Sequence, residues 1–288
     1  MKWVLGLSAV AACLGLGLFL SAQNLGQTAP TAIPNPSQTL ATLATFDINT
    51  LIADDLATVD SSSTAADQST DPSHPSHFPP SGNFRLIGPA KDTIDPQNSY
   101  NEVISFDTAT DPSAVPMAFR AFGDHVKIHW FTDMIEMKYY FVGRSCGGGS
   151  PRIVLLVDAN GDGKFDQTTG DFAANGHVNP PTTVGCRTGQ WVYEDFTDNG
   201  NRWEITPGNA VPDLPNRFPY FTWTELITAV NADFPNHRIL AGFLVEDSQS
   251  FTPGDQGCAY YDLLSIGPHP LSDHSDTSDG TKQPNNCP

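Results

Sequence analysis

The apolar segment Ile153-Val154-Leu155-Leu156-Val157 runs directly into Asp158-Ala159-Asn160-Gly161-Asp162-Gly163-Lys164-Phe165-Asp166. The apolar residues predict a strand, and no helical pattern flanks the loop that follows them. In the loop, side chains that carry oxygen occupy the first, third, fifth and ninth positions, and a glycine for a sharp turn occupies the sixth. This spacing is typical of the first three quarters of an EF-hand-type loop. The segment therefore predicts a Ca²⁺ loop at the end of a β-strand.

The predicted calcium ligands lie in this loop and shortly after it. They are Asp158, Asn160, Asp162, the backbone carbonyl of Lys164, Asp166 and Asp171. Thr169 stands where an EF-hand has its bidentate Glu, and we expect Asp171 to substitute for that residue. The alternative is a solvated turn that binds no metal, because hairpin turns use the same residue types. Converging carboxylates repel one another without a cation, which favours calcium.

The N-terminus has the pattern of a secretory signal peptide. Lys2 precedes an uncharged apolar run from Trp3 to Leu20, and Ser21-Ala22-Gln23 follows. We expect cleavage near Ala22, so that residues 1–22 form the signal, and the alternative is an uncleaved signal anchor. The predicted location is secreted, extracellular or at the cell surface, with no membrane contact beyond this segment.

Four cysteines follow the predicted signal, and they are Cys146, Cys186, Cys258 and Cys287. An even number of cysteines in an exported chain predicts disulfide bonds, and four allow three pairings. We favour a bond between Cys146 and Cys186 around the calcium loop, and one between Cys258 and Cys287 that ties the tail to the body. A catalytic thiol at Cys146 is the alternative, whereas a zinc site lacks the Cys-x-x-Cys spacing.

The chain is strongly acidic. It has 32 acidic and 14 basic residues, for a formal net charge of −18. This charge opposes binding to nucleic acid or to an anionic membrane, and it favours cations and solubility.

Composition divides the chain after the signal into three parts. Residues 23–82 are rich in Ser, Thr, Ala, Pro and Asp and predict a flexible linker, within which the run from Leu40 to Leu56 is apolar enough for a short helix or docking segment. Residues 83–268 contain short apolar runs bounded by turn residues, which predict a β-sandwich domain, and residues 269–288 form a polar tail. The predicted strands are Phe84 to Ile87, Val103 to Phe106, Ala118 to Phe122, Val126 to Phe131, Met134 to Val142, Ile153 to Val157, Gln190 to Phe196, Arg202 to Ile205, Ile239 to Val245 and Ala259 to Ile266.

One helix is predicted in the domain. Thr222 and Glu225 form a capping box, which starts a helix that runs from Trp223 to about Ala232, and Pro235 prevents its continuation. We expect this helix to cover one end or edge of the sandwich.

The C-terminal part of the domain resembles secreted bacterial jelly-roll domains. The resemblance is carried by Thr222-Trp223-Thr224-Glu225-Leu226, by Phe234-Pro235-Asn236-His237, and by a closing strand from Ala259 to Gly267 of the Tyr-x-Asp-apolar-apolar type. This order is similar to carbohydrate-binding modules of the galactose-binding-like class, and the run from Cys146 to Arg152 resembles a group of uncharacterised secreted bacterial proteins. The resemblance implies an all-β, antiparallel, jelly-roll-like β-sandwich with one short capping helix.

Exposed aromatic residues are the candidate contacts to a sugar. Trp191, Trp203 and Tyr220 are the predicted ligand-binding residues, and core packing is the alternative for each. The chain has no Gly-x-Ser-x-Gly motif, and its best remaining acidic cluster, Glu246 with Asp247 and Asp255, also has the composition of a polar loop rim.

The predicted function is therefore that of a non-catalytic, calcium-binding β-sandwich which recognises a polysaccharide or another cell-surface polymer. A structural or self-assembling surface protein is the first alternative. A secreted hydrolase with a site that residue spacing does not reveal is the second.

Overall fold

The chain folds into two packed antiparallel β-sheets in a computed structural model, which describes residues 47–62, 84–108, 115–123, 125–144, 151–178, 186–214, 220–246 and 257–267. The α-helices in these ranges are α1 (Ile48–Ser62) and α2 (Trp223–Asp233), and neither is long and apolar enough to cross a membrane. The strands are β1 (Arg85–Ile87), β2 (Ala90–Asp95), β3 (Asn98–Asp107), β4 (Met117–Ala121), β5 (Ile135–Val142), β6 (Arg152–Asp158), β7 (Phe172–His177), β8 (Val192–Asp195), β9 (Trp203–Thr206), β10 (Arg238–Val245) and β11 (Cys258–Ile266). The predicted all-β sandwich is confirmed.

The strand order explains how the predicted calcium loop is positioned. The six-stranded sheet has the order β1-β4-β10-β6-β7-β9, and the five-stranded sheet has the order β2-β3-β11-β5-β8. Successive strands such as β4 and β5, or β10 and β11, lie in different sheets, as in a jelly-roll-like sandwich. β10 pairs with β6 along its length, so that Arg238 lies opposite Asp158 at the end of β6 where the loop begins.

The core lies between the two sheets. In β5, alternate side chains enter it, because successive residues of a strand point to opposite faces. Ile135, Met137, Tyr139 and Phe141 are at most 2% exposed, while the residues between them are half-buried. Each such side chain stabilises the fold by roughly 1.5 to 3 kcal/mol when it is fully buried.

Helix α2 forms as the capping box predicts. The Glu225 backbone N–H donates to Thr222 Oγ1 at 3.2 Å, and the Thr222 backbone N–H donates to Glu225 Oε2 at 2.8 Å. The helix buries Trp223, Leu226 and Val230 against the core cluster between the sheets.

The predicted strand from Val126 to Phe131 is wrong. The structure has a 3₁₀-helix at Ile128–Phe131, in which Ile128 and Phe131 are three residues apart and are both buried. Side chains at that spacing eclipse one another on a 3₁₀-helix. The Ile128 backbone N–H donates to His237 Nε2 at 3.2 Å. In a strand this N–H would donate to a carbonyl of the neighbouring strand, so here a side chain replaces the sheet acceptor. Strands β2 and β7 are additional to the predicted set.

A second apolar layer covers part of the outer face of the six-stranded sheet. Helix α1, which lies in the range predicted as a flexible linker, packs Leu51 and Ile52 into a cluster with Phe119 and other residues of that face. Asp55 Oδ2 accepts a hydrogen bond from the Ala121 backbone N–H at 2.8 Å. This part of the predicted linker is therefore docked on the sandwich.

Helix α1 also contacts the predicted calcium loop. Asn49 Nδ2 donates to the Phe165 carbonyl at 3.2 Å, and the Phe165 backbone N–H donates to Asn49 Oδ1 at 2.9 Å. The Asn49 amide thus satisfies both backbone groups of a loop residue whose side chain packs in the same apolar cluster as the helix.

We expect Asn49→Ala to lower the free energy of unfolding by about 1 to 2 kcal/mol, because two backbone groups lose their partners. Hydrogen exchange of the α1 amides and limited proteolysis measure the loosening of the helix. The matched control is Asp54→Ala, an exposed position on the same helix. Equal amide protection of α1 in both variants would contradict the role of Asn49.

Candidate functional site

The candidate site is the loop after β6, and it is built around the carboxylate of Asp158. This residue has no exposed surface. Its Oδ1 accepts the backbone N–H groups of Gly161 at 2.6 Å and Asp162 at 3.3 Å, and its Oδ2 accepts that of Gly163 at 2.7 Å. Both glycines have positive φ, +80° and +85°, a conformation that glycine adopts without strain. The loop therefore wraps around one buried negative charge.

Asp171 closes the loop from its far end. It is also fully buried, with Oδ1 accepting the Ala159 backbone N–H at 2.8 Å and Oδ2 accepting that of Asp166 at 2.7 Å. Burial raises the pKa of Asp171, and the negative charges of Asp158 and Asp162 raise it further. Three carboxylates of the predicted ligand set therefore lie within electrostatic reach of one another.

The other predicted ligands make local turns. Asn160 Oδ1 accepts the Asp162 backbone N–H at 2.8 Å, and Asp162 Oδ1 accepts that of exposed Lys164 at 2.9 Å. Asp166 is exposed and caps a short 3₁₀-helix, where hydrogen bonds from Thr168 lower the pKa of its carboxyl group. Within the described ranges, no group of three or more His, Cys, Asp or Glu side chains is arranged as a metal-binding set.

The donor chemistry of the loop nevertheless fits a hard cation. Ca²⁺ takes oxygen ligands from carboxylates, amides and backbone carbonyls. An ionised carboxylate has about four lone-pair sites, so the two or three N–H groups that each buried carboxylate accepts leave acceptor capacity. Asp158 and Asp171, with the neighbouring oxygens of Asn160 and Asp162, are the residues that would hold calcium.

The turn after α2, from Phe234 to His237, contacts the loop that follows β6. A Cβ atom at Gly161 would lie 2.6 Å from the Asn236 carbonyl oxygen, so only glycine allows this contact. Lys127 Nζ donates to the Pro235 carbonyl at 3.1 Å. The His237 Nδ1 lies 2.6 Å from the Phe234 carbonyl and donates to it, while its Nε2 accepts the Ile128 N–H described above.

Folding lowers the pKa of His237 to about 4 from 6.5, chiefly because burial disfavours the imidazolium. The unfolded chain binds more protons than the folded chain between these two values, so stability is complete above pH 6.5 and falls as the pH decreases toward 4. We expect this group to account for about 2 to 3 kcal/mol of that loss.

Denaturant unfolding of wild type and His237→Gln across this pH range measures the contribution. The pH dependence should be much smaller in His237→Gln and only slightly smaller in His129→Gln, which removes an exposed histidine whose charge is a minor cause of the lowered His237 pKa. The same slope in all three proteins would show that His237 is not the responsible group.

Two of the predicted sugar contacts are core residues instead. Trp203 has no exposed surface, donates from Nε1 to the Phe196 carbonyl at 2.7 Å and packs on Trp223 with ring centroids 4.9 Å apart. Tyr220 is 6% exposed and packs edge-on against His177 at 5.3 Å. Their burial leaves neither ring with a face on which a sugar could stack, so the ligand prediction is corrected for both.

Trp191 is half-buried. Its indole N–H donates to Asp95 Oδ1 at 3.3 Å, and its ring packs on Tyr140 at 5.6 Å. The indole thereby links the β2–β3 hairpin to β5. Trp191 therefore has a structural role.

Glu246 is not on a polar loop rim. Arg144 Nη1 and the Tyr261 hydroxyl donate to its two carboxylate oxygens, and the side chains of Arg144 and Glu246 are 0% exposed. Burial and the adjacent negative charge raise the pKa of Tyr261, which keeps its hydroxyl protonated as a donor. Asp247 and Asp255 lie outside the described residues.

Two of the four cysteines fall in the described residues. Cys186 and Cys258 are both disulfide-bonded. Cys146 and Cys287, their predicted partners, lie outside the described residues. The pairing stays a prediction.

Comparisons with known proteins give no match. No family model matches the chain, and no curated protein or solved structure does so. The resemblance to secreted jelly-roll domains stays a prediction, and function has to be inferred from the residues of this chain.

Proposed function

We propose that this chain is an exported, non-catalytic β-sandwich, stabilised by calcium, that recognises a glycan or another cell-envelope polymer. The observation that carries the calcium part is the burial of Asp158 and Asp171 in one loop. Both carboxylates are fully buried, and the pKa of Asp171 is raised partly by its acidic neighbours. Buried like charges are costly unless they are compensated, and a divalent cation supplies that compensation.

Calcium bound in this loop would stabilise the fold. The loop connects β6 to β7 and is held by α1 and by the turn after α2, so an ion bound there joins elements that are distant in sequence. Millimolar external calcium over a site with a dissociation constant of about 10⁻⁴ M would add about 1.4 kcal/mol to stability.

Polymer recognition is supported by the predicted export and by the absence of a recognisable catalytic motif in the sequence. The test is a pull-down with insoluble polysaccharides and cell-envelope preparations, together with a glycan array. Retention of the folded protein by one class of polymer is the expected result. Failure to bind any of them would remove recognition from the proposal and leave the calcium clamp to be tested separately.

A second candidate function is self-assembly at the cell surface, and the β2–β3 hairpin favours it. Ile94 is 40% exposed and Tyr100 is 96% exposed on this hairpin, so two large apolar side chains face solvent at one edge of the five-stranded sheet. Sedimentation velocity over a range of concentrations tests it. Oligomers that grow with concentration, in a protein that binds no polymer, would favour assembly over recognition.

A further inference from the structure

Phe165 joins the predicted calcium loop to helix α1. It lies between Lys164 and Asp166, which are both in the predicted ligand set. Its side chain is 9% exposed and packs in the apolar cluster that contains Leu51 of α1, while the Asn49 amide bonds to both of its backbone groups. The loop residue that α1 holds is therefore flanked on both sides by predicted calcium ligands.

The bond from Phe165 to Asn49 also orients a predicted ligand. The Phe165 N–H and the Lys164 carbonyl belong to one peptide unit, and in a planar trans peptide these two groups point in opposite directions. Because the Phe165 N–H donates to Asn49 Oδ1 at 2.9 Å, the Lys164 carbonyl points away from Asn49. Asn49 thus sets the direction of the one backbone oxygen in the predicted ligand set.

Other contacts of α1 fix the position of Asn49. Leu51 and Ile52 are buried in the apolar cluster on the outer face of the six-stranded sheet. Further along the helix, Asp55 Oδ2 accepts the Ala121 backbone N–H of strand β4 at 2.8 Å. Because these contacts place the helix on the sheet, Asn49 can hold the loop only while α1 is docked.

We propose that helix α1 is part of the calcium site, with Asn49 as the positioning residue for the Lys164 carbonyl, so that calcium binding and docking of the helix strengthen each other. The inference rests on the proposed function and names a regulation of its site. Replacing a residue that orients a metal ligand commonly weakens metal binding tenfold or more. Because coupling between two equilibria is reciprocal, docking raises the calcium affinity by the same factor by which calcium favours docking.

This coupling gives calcium a role in how the domain is presented. Helix α1 lies within residues 23–82, the predicted linker, and its contacts tie that segment to the sandwich. Removal of calcium would release the helix and uncover part of the outer face of the six-stranded sheet, where Phe119 and Phe243 lie. Calcium outside the cell would therefore control how firmly the linker is held on the domain.

Calorimetric titration of calcium into the full chain tests the coupling. We expect Asn49→Ala and Leu51→Ala each to raise the calcium dissociation constant about tenfold, since the first removes the positioning group and the second loosens the helix that carries it. Asp54→Ala, at an exposed position on the same helix, is the matched control and should bind calcium as wild type does. Near-UV circular dichroism of each variant verifies that the sandwich is folded, so that a changed constant reports on the site rather than on stability.

Hydrogen exchange measures the reverse effect. In wild type the α1 amides should exchange about tenfold faster with a chelator than with millimolar calcium, while the amides at the tip of the β2–β3 hairpin, in the other sheet, should not respond. Wild-type dissociation constants in both Asn49→Ala and Leu51→Ala, or α1 amides that do not respond to the chelator, would overturn the coupling and leave the calcium proposal standing. A wild-type chain that binds no calcium would overturn both.

Discussion

Asp158→Ala is expected to lower the free energy of unfolding by about 3 kcal/mol and to abolish the response of the melting temperature to a calcium chelator. The first effect follows because the backbone N–H groups of Gly161, Asp162 and Gly163 lose their buried acceptor, at roughly 1 kcal/mol each. The second follows because the proposed cation loses one of its two fully buried ligands. Denaturant and thermal unfolding, with millimolar calcium and with chelator, measure both.

Two further variants separate the lost hydrogen bonds from the lost charge. Asp198 Oδ1 accepts the Gly200 backbone N–H at 2.9 Å in an exposed turn, so Asp198→Ala removes a similar turn bond away from the loop. It should cost little and keep the chelator response. Asp158→Asn keeps an acceptor oxygen but removes the charge, and it should lose the chelator response with a smaller loss of stability. A wild-type protein that melts at the same temperature with and without chelator would refute the calcium proposal.

Local sequence patterns were sufficient to predict the strand before the loop and the helix α2. The apolar run before Asp158 does form β6, and the capping box at Thr222 does start α2. In β5, every second residue is buried, as the two-residue period of a strand predicts. In each case the signal lies within about ten residues and reflects the period of one strand or the start of one helix.

Contacts between distant residues decided the elements that the sequence analysis missed. β7 contains Asn175 and Gly176, which favour turns, yet a Cβ atom at Gly176 would lie 3.0 Å from the Trp203 indole. A Cβ atom there would force the indole to shift by a few tenths of an ångström, so the packing that buries Trp203 favours glycine at this position. No local pattern distinguishes a tryptophan that meets a glycine across the sheet from one that faces a ligand.

A signal for the docking of α1 is present in the sequence. The strands β6 and β10 are apolar along nearly their whole length, and almost all of their residues are buried. Such continuous runs are typical of strands covered on both faces. They indicate that the six-stranded sheet has a cover outside the sandwich. The run from Leu40 to Leu56, which is apolar enough for a short helix or docking segment, contains the residues Leu51 and Ile52 that supply part of this cover.

Glu246→Ala is expected to be the most destabilising of these substitutions, at about 3 to 5 kcal/mol. It leaves the guanidinium of Arg144 buried without its carboxylate, and removing one partner of a buried ion pair has a cost of this size. Arg144 also packs over the Phe141 ring at 5.1 Å, so its position is fixed and it cannot easily reach water. Urea unfolding of Glu246→Leu, Arg144→Met and the double variant with both substitutions gives the coupling energy between the two residues, and Glu246→Ala is measured beside them.

The double variant should recover most of the stability, because an apolar pair of similar volume replaces two charges that had to be desolvated. This outcome also bears on the hydrolase alternative. A general acid has to reach the substrate, whereas the carboxylate of Glu246 accepts from Arg144 and Tyr261 and has no exposed surface. If wild type hydrolysed a polysaccharide and Glu246→Gln abolished turnover without loss of stability, the ion pair would be catalytic machinery. We expect instead that every substitution of Glu246 acts on stability alone.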